Sequence, residues 1–195
     1  MVELTLPVSE ERVRELTVGD FVELSGRMIT GRDAAHKWLV EQHREDVAPY
    51  LKDTVIYHCG PVVARHADGR YDFVAAGPTT SIREEPYQSD VICRYGLRGV
   101  IGKGGMGPKT LDGLGRCGAV YLHAIGGAAQ VLANAIPRVE TVFMLEEFGV
   151  PEALWVIHVE RFPVVVSMDS HGGSLHEEVE DASRQRLAEL LGIAR

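Results

Sequence analysis

The chain has 195 residues, of which 45% are hydrophobic and 25% are charged, and its formal net charge is −8. A chain of this length and composition can bury a core, which excludes bulk disorder and predicts one compact domain over residues 1–195. The negative charge argues against a nucleic-acid or anionic-membrane partner, because binding to phosphates depends mainly on lysine and arginine.

The first residues and the apolar runs predict a soluble, cytoplasmic protein. No apolar run reaches the roughly 18 residues that a membrane span needs. The first 16 residues, MVELTLPVSEERVREL, are acidic and alternating, unlike the basic and then apolar regions of a signal peptide.

Hydrophobic periodicity in the first half predicts strands followed by a helix. Residues 13–31 alternate as in strands, broken by turns at Gly19-Asp20 and Gly26. The pattern then becomes helical, with Ala35, Trp38, Leu39 and His43 at a spacing of about 3.6. VIYHCGPV and YDFVAAGPTT are short apolar runs ended by Gly-Pro, so we expect buried strands there. SDVICRYG is expected to be a short helix that Ser89 caps.

The second half predicts further alternation of strands and helices. GVIGKGGMG and AVYLHAIGG are expected to be strands, each followed by a helix, in KTLDGLGRCG and AAQVLANAI respectively. ALWVIHVERF and VVVSMD are predicted as two strands joined at Pro163, and an amphipathic helix from about Leu175 to Leu191 closes the chain. This order favours a layered α/β domain, in which the strand order cannot be read from the sequence.

The three cysteines, Cys59, Cys93 and Cys117, are widely spaced and form no C-x-x-C pair. This spacing argues against a disulfide framework and against a self-contained zinc or iron–sulfur site. We therefore expect buried or incidental thiols. The alternative is that the three cysteines bind a cluster after folding.

The glycine loop GKGGMG, at residues 102–107, matches the dinucleotide pattern G-x-G-x-x-G after a predicted strand. However, the next strand offers no acidic residue for a ribose, and Pro108 breaks the P-loop spacing before Lys109. A tight strand-to-helix turn with incidental cations is the plain alternative. Lys103 still stands out, because its glycine neighbours would let a ligand approach this point charge closely.

The segment TGRDAAH places Arg32 at the first turn of the predicted helix. Exposed N–H groups at that turn favour an anion. A cation there opposes the helix dipole and is locally unfavourable. Residues that break a local rule in this way often belong to functional sites. His36 follows four residues later on the same face. The alternative is that Arg32 pairs with a nearby carboxylate and His36 is a packing residue.

The segment GPTTSIR gathers Thr79, Thr80, Ser81 and Arg83 after a predicted strand, where α/β sheets usually bind ligands. The hydroxyls can donate and accept hydrogen bonds, and the guanidinium offers a fork for a carboxylate. A turn that caps a helix would also explain the hydroxyls. If these groups share a cleft with the cations of the other two segments, the cleft would suit a dicarboxylate or a hydroxy-diacid.

TGRDAAH, GPTTSIR and GKGGM, with PVVVSMDSHGGSL near the end, resemble in this order the β subunits of class I fumarate hydratase and L(+)-tartrate dehydratase. They also resemble the C-terminal domain of single-chain class I fumarases, over almost the whole chain. The resemblance implies a swivelling β/β/α domain that forms one wall of an active site. A partner α subunit would hold a [4Fe–4S] cluster through three cysteines, with one iron as a Lewis acid, and this chain would bind no metal. A dimer of heterodimers is implied as well.

The activity implied is the reversible hydration of fumarate to L-malate, with dehydration of L-tartrate to oxaloacetate as the alternative. By motif, Arg32, Arg83 and Lys103 would bind substrate carboxylates beside Thr79 and Thr80. The alternatives of another class are a small-anion-binding domain without chemistry and a dinucleotide-binding enzyme.

Three residues would be catalytic by resemblance. Thr79 would be the base, and Lys103 could lower the pKa of its hydroxyl. His36 would be an acid–base or an orienting residue. Gly31 stands where the family motif has alanine, a change that we expect to be harmless.

Overall fold

The computed structural model describes residues 1–42 and 44–192; His43, which the helical pattern includes, lies outside the described residues. Strands and helices alternate along the chain. In order they are β1 (Val2–Leu6), α1 (Glu10–Arg14), β2 (Phe21–Thr30), α2 (Asp33–Glu41), α3 (Ala48–Leu51), β3 (Val55–Tyr57), β4 (Val62–Arg65), β5 (Tyr71–Ala75), a 3₁₀ turn (Ser81–Glu84), α4 (Glu85–Tyr95), β6 (Gly99–Gly102), α5 (Pro108–Cys117), β7 (Val120–His123), α6 (Ala129–Asn134), β8 (Arg138–Phe143), α7 (Leu145–Phe148), β9 (Leu154–Met168) and α8 (Leu175–Leu191).

Seven strands form one mixed sheet in the order β1-β2-β3-β6-β7-β9-β8. The neighbours from β1 to β7 run parallel, and β9 runs antiparallel to β7, to β8 and to β2. Because β9 bonds to both β7 and β2, the circuit β2-β3-β6-β7-β9 closes on itself. The chain therefore forms a single compact α/β domain in which the carboxyl ends of β2, β3, β6 and β7 share one edge.

Apolar side chains pack on both sides of this sheet. Successive strand residues point to opposite faces, so Tyr57 and Trp155 belong to one cluster whereas Ile56 and Val156 belong to the other. The second cluster is covered by α2, α3, α4 and α5. The first includes residues of β1, α1, α6 and β5.

Two element predictions are wrong at their boundaries. β9 is one strand that runs through Pro163. Residues 159–164 pair with β2 on one side, and on the other side they pair with no strand among the described residues. Such an edge tolerates proline. Helix α4 begins at Glu85, with Pro86 in its first turn, so Ser89 is not its cap.

The expectation for β5 as a buried strand is also wrong. β5 pairs only with β4, in a separate two-stranded sheet. Of its five residues only Phe73 is buried. A run of apolar residues ended by Gly-Pro does not reveal which sheet a strand joins.

The closing helix α8 has the predicted extent, Leu175–Leu191, but none of its described residues is buried. Its larger apolar side chains remain exposed; they are Leu175, Val179, Leu187, Leu190 and Leu191. Within residues 1–42 and 44–192, no helix is both long enough and apolar enough to cross a membrane.

The expectation of unpaired thiols is wrong for two of the three cysteines. Cys93 of α4 and Cys117 of α5 form a disulfide with a Cα–Cα distance of 5.4 Å. The two helices pack side by side, with Ser89 against Gly113, and this packing brings the two cysteines together. Cys59 is free and buried, and burial raises the pKa of its thiol to about 12.

We expect Cys93→Ser to lower the free energy of unfolding by about 2–4 kcal/mol, since the disulfide restricts the unfolded chain. Urea unfolding with and without reductant measures this. The wild type should lose the same amount of stability in reductant, and the variant should not respond. Cys59→Ser, the control, should keep the response. Identical wild-type midpoints in both conditions would contradict a stabilising disulfide.

Candidate functional site

The predicted site lies at the edge of the sheet where three neighbouring parallel strands end. Arg32 follows β2 by two residues, His58 follows β3 directly, and Lys103 follows β6 directly. The carboxyl ends of parallel strands are where α/β sheets bind ligands. The structure therefore brings the first and third motif segments to one edge.

The middle segment inserts between the ends of β3 and β6. The N–H of Thr79 donates to the His58 carbonyl at 2.7 Å, and the N–H of Lys103 donates to the Thr79 carbonyl at 3.2 Å. The N–H of Ser81 then donates to the Lys103 carbonyl at 3.0 Å, and Thr80 forms a parallel bridge with Lys103. The sequence predicts this segment at the end of β5, but β5 belongs to a separate sheet, and the segment lies instead between the ends of β3 and β6.

Lys103 and Thr79 carry polar groups that remain available at this edge. Both side chains are partly exposed, and Thr80 is exposed. In the part of the chain that the structure describes, neither the Lys103 ammonium nor the Thr79 hydroxyl has a hydrogen bond or ion pair. A lysine and a neighbouring hydroxyl without protein partners are free to bind an anionic ligand.

Arg32 pairs with a carboxylate of this chain, which is the alternative that the sequence left open. Its Nε lies 3.3 Å from Oε1 of Glu152. Oε2 of Glu152 accepts from the N–H of Ala34 at 3.1 Å, so this carboxylate also occupies the start of α2. A side chain at Gly60 would collide with Nη1 of Arg32, so a glycine makes room for the guanidinium.

Arg83 forms an ion pair with Asp33, the first residue of α2. Its side chain is 54% exposed. A guanidinium has five N–H donors, so one protein carboxylate leaves donors for a second anion. The contact joins the middle segment to the first segment across the site.

His36 is completely buried. Its Nδ1 lies 2.9 Å from the carbonyl oxygen of Arg32, which can only accept, so Nδ1 carries the proton. Burial lowers the pKa of the imidazole to about 4, so it is neutral at pH 7. This placement suits an orienting residue that holds the main chain of Arg32.

A group of buried polar residues lies behind the site, and the sequence motifs did not predict it. His58, Glu84, Gln88 and Tyr121 are all buried there, beside Ser81, which was named only as a turn hydroxyl. His58 lies edge-to-face against His36, with ring centroids 4.9 Å apart. The one available signal was a histidine directly after an apolar strand.

The carboxyl of Glu84 has a pKa raised to about 7. Burial is the main cause, and the charge of Glu152 adds to it, whereas Arg83 and Arg32 act in the opposite direction. Oε2 lies 3.7 Å from Nδ1 of His36. Near neutral pH, Glu84 is therefore partly protonated beside a neutral imidazole.

The start of α5, after the glycine loop, is occupied by the carboxylate of Glu85. This carboxylate accepts from the N–H of Gly107 at 2.8 Å, and from the N–H and the hydroxyl of Thr110 at 3.1 and 2.6 Å. A nucleotide phosphate would need the same position. The glycine pattern here serves packing, which weighs against the dinucleotide alternative.

The cysteines of this chain do not suit an iron–sulfur cluster. Cys93 and Cys117 are joined to each other, and Cys59 is buried with a raised pKa. Over residues 1–42 and 44–192, no group of three or more His, Cys, Asp or Glu side chains could hold a metal ion.

Comparison with known proteins gives one family that matches most of the chain and several similar sequences. Residues 1–179 match the family described as Fumarase C-terminus. The chain is 52% identical over 189 residues to a putative class I fumarate hydratase of Geobacillus stearothermophilus, covering 97% of this chain and 36% of that protein. The chain thus spans about a third of that relative.

Two relatives have lengths closer to that of this chain. A putative L(+)-tartrate dehydratase subunit beta of Methanocaldococcus jannaschii is 39% identical over 189 residues, covering 95% of this chain and 96% of that protein. The L(+)-tartrate dehydratase subunit beta of Escherichia coli K12 is 38% identical over 177 residues, covering 90% and 86%.

The raised pKa of Glu84 makes stability depend on pH. The pKa is about 7 in the folded protein against 4.5 ordinarily, so this stabilisation is complete below pH 4.5 and is lost as the pH rises through 7. His36 acts oppositely: with a folded pKa of about 4 against 6.5, its contribution is present above pH 6.5 and is lost as the pH falls through 4.

Glu84→Gln removes only the first contribution. We expect the wild type to lose about 2–3 kcal/mol of unfolding free energy relative to Glu84→Gln between about pH 5 and pH 8. Urea unfolding of both proteins at several pH values measures the difference. A difference that is constant over this range would contradict the raised pKa.

Proposed function

This chain belongs to the fumarase C-terminus family, and on that premise we propose that it is the β subunit of a class I fumarate hydratase. With an iron–sulfur α subunit it would catalyse the reversible hydration of fumarate to L-malate. The observation that carries this proposal is that Arg32, Thr79 and Lys103 lie at one edge of the sheet, on adjacent chain segments. Cations around a free hydroxyl suit a dicarboxylate substrate.

The partner in this proposal supplies the other wall of the site and the [4Fe–4S] cluster. Two relatives are named subunit beta, and the longer relative contains further sequence beyond the part matched by this chain. The paired and buried cysteines of this chain support a cluster held elsewhere. We further propose that the domain is a swivelling β/β/α unit and that the enzyme is a dimer of heterodimers.

The arginines would bind and orient the substrate. Arg32 and Arg83 each offer a planar fork to a carboxylate, and each is already aligned by Glu152 or Asp33. A substrate carboxylate would share or displace these contacts. Since the substrate carries its carboxylates throughout the reaction, this binding would be similar in the ground and transition states.

Thr79 and Lys103 would act on the reacting carbon. Thr79 would act as its alkoxide: Oγ1 would accept the proton, becoming a hydroxyl, when the carbon–hydrogen bond of malate breaks and the hydroxyl on the neighbouring carbon leaves. During hydration the hydroxyl adds back and Thr79 returns the proton to carbon. Negative charge then develops next to a substrate carboxylate, where the Lys103 ammonium can stabilise it. The same ammonium would lower the pKa of the Thr79 hydroxyl. His36, which is buried, would orient Arg32 without touching the substrate.

Dehydration of L-tartrate is the second candidate activity. It is favoured by the names of the two relatives that this chain covers nearly completely. Both substrates are dicarboxylates, so the arginine contacts suit either of them. Assays of the assembled enzyme with malate, fumarate and tartrate distinguish the two, and activity with none of them would favour an anion-binding domain without chemistry.

In the co-expressed complex, Arg32→Ala and Arg83→Ala should mainly raise KM, because a lost charged hydrogen bond costs roughly 2–4 kcal/mol of binding. Thr79→Val and Lys103→Ala should mainly lower kcat, by about 10²–10⁴-fold. Lys109→Ala, an exposed lysine paired with Asp90, is the matched control and should behave as wild type. Near wild-type kcat for both Thr79→Val and Lys103→Ala would contradict their catalytic roles.

The chain alone, incubated anaerobically with iron and sulfide, should stay colourless and show no hydratase activity. Its cysteines are paired or buried, so a cluster has no ligands here. Absorbance spectroscopy and iron analysis measure this, and size-exclusion chromatography should show one complex with the co-expressed cluster-bearing subunit. A stoichiometric iron–sulfur spectrum from the chain alone would overturn the proposed division between the subunits.

A further inference from the structure

Behind the proposed site, four buried side chains form a continuous row of hydrogen bonds. The Tyr121 hydroxyl lies 2.8 Å from Ser81 Oγ, and Ser81 Oγ lies 2.9 Å from Nδ1 of His58. Nε2 of His58 lies 2.8 Å from Oε1 of Gln88. All four residues are inaccessible to solvent. The row therefore connects β7, the inserted segment, the end of β3 and α4 without any exposed member.

The direction of this row follows from its acceptors. Oε1 of Gln88 can only accept, so Nε2 of His58 carries the proton. A neutral imidazole has one N–H, so Nδ1 is an acceptor for the Ser81 hydroxyl. Burial keeps His58 neutral by lowering its pKa well below 6.5. The proton of the Ser81 hydroxyl is then donated to Nδ1 of His58. Ser81 Oγ can therefore only accept from the Tyr121 hydroxyl.

The opposite direction would leave a buried proton without an acceptor. Among the described residues, Ser81 Oγ is the hydrogen-bond partner of the Tyr121 hydroxyl, at 2.8 Å. If Ser81 donated to Tyr121 instead, the proton of the Tyr121 hydroxyl would have no acceptor in this row. An unsatisfied buried donor is destabilising, which favours the direction from Tyr121 to His58.

His58 holds the inserted segment at two points. Its carbonyl accepts from the N–H of Thr79 at 2.7 Å, and its Nδ1 accepts from the hydroxyl of Ser81. Between these points, the Lys103 N–H donates to the Thr79 carbonyl, and the Ser81 N–H donates to the Lys103 carbonyl. A side chain at Gly102 would collide with Ser81 Oγ, so this glycine makes room for the anchor.

We propose that His58 is a positioning residue, whose neutral Nε2–H imidazole fixes Ser81 and thereby holds Thr79 and Lys103 in register at the edge of the sheet. His58 is buried, so it acts through Ser81 and does not contact the substrate. The catalytic consequence rests on the proposed function. The hydrogen-bond direction and the positions of Thr79 and Lys103 do not depend on the proposed function.

Two substitutions separate the two bonds of the His58 ring. His58→Asn can place an acceptor oxygen near the position of Nδ1 and keep the Ser81 bond. His58→Gln reaches the position of Nε2 and keeps only the Gln88 bond. Because small misplacements at a reacting centre are costly, His58→Gln should lower kcat of the complex by about 10- to 100-fold, and His58→Asn by only a few-fold.

The split between kcat and KM distinguishes positioning from general damage. KM should change by less than about threefold in both variants, because the arginines are untouched. Ser81→Ala should match His58→Gln, and combining the two should add little, since both remove one link. His66→Gln, an exposed histidine paired with Asp72, is the control and should leave kcat unchanged. Equal losses in His58→Asn and His58→Gln would overturn the proposal.

Nuclear magnetic resonance of the chain tests the proposal without any activity. Ring ¹⁵N shifts of His58 should show a protonated Nε2 and a bare Nδ1 between about pH 5 and pH 8. The backbone amide signals of Thr79 and Lys103 should move in His58→Gln and stay in His58→Asn. A protonated Nδ1, or amides that move in neither variant, would overturn the proposal. An inactive wild-type complex with these signals as expected would overturn only the proposed function.

Discussion

The insertion of residues 79–81 between the ends of β3 and β6 is the constraint on which the site depends. β3 and β6 are hydrogen-bonded neighbours up to Tyr57 and Ile101, and beyond that point the inserted segment takes over the bonding of both strands. Three main-chain hydrogen bonds place the Thr79 hydroxyl and the Lys103 ammonium at the same edge. Such a segment, bonded on both sides, is held far more rigidly than a free loop, which a catalytic arrangement requires.

The charged groups at this edge are a mixture of cations and carboxylates. The net charge is −8, while Arg32, Arg83 and Lys103 lie on the three chain segments that meet at this edge. Glu152 and Asp33 engage the two arginines, and Lys103 alone of the three cations has no carboxylate partner among the described residues. Burial is the main cause of the raised pKa of Glu84, and Glu152 adds to it, because a further negative charge beside Glu152 is unfavourable in a buried position.

The glycines of residues 102–107 have separate packing reasons. Side chains at Gly102, Gly105 and Gly107 would collide with Ser81, His176 and Glu85, respectively. Gly105 also has a φ of +74°, a left-handed conformation that favours glycine. A pattern typical of phosphate binding thus arises here from three close approaches. This is the physical reason why the dinucleotide interpretation of the motif is not supported.

The sequence by itself determined the local features: the α/β alternation, the extent of α8, and Arg32, Thr79, Thr80, Arg83 and Lys103 as polar residues at chain turns. Periodicity and turn chemistry depend on neighbouring residues, so they can be read along the chain. Only the tertiary structure decided the closure of β9 on β2, the Cys93–Cys117 disulfide, the separation of β5 from the main sheet and the burial of His36. The tertiary structure alone also revealed the row of hydrogen bonds through His58. Each of these features joins residues that are distant in sequence and meet only when helices and strands pack.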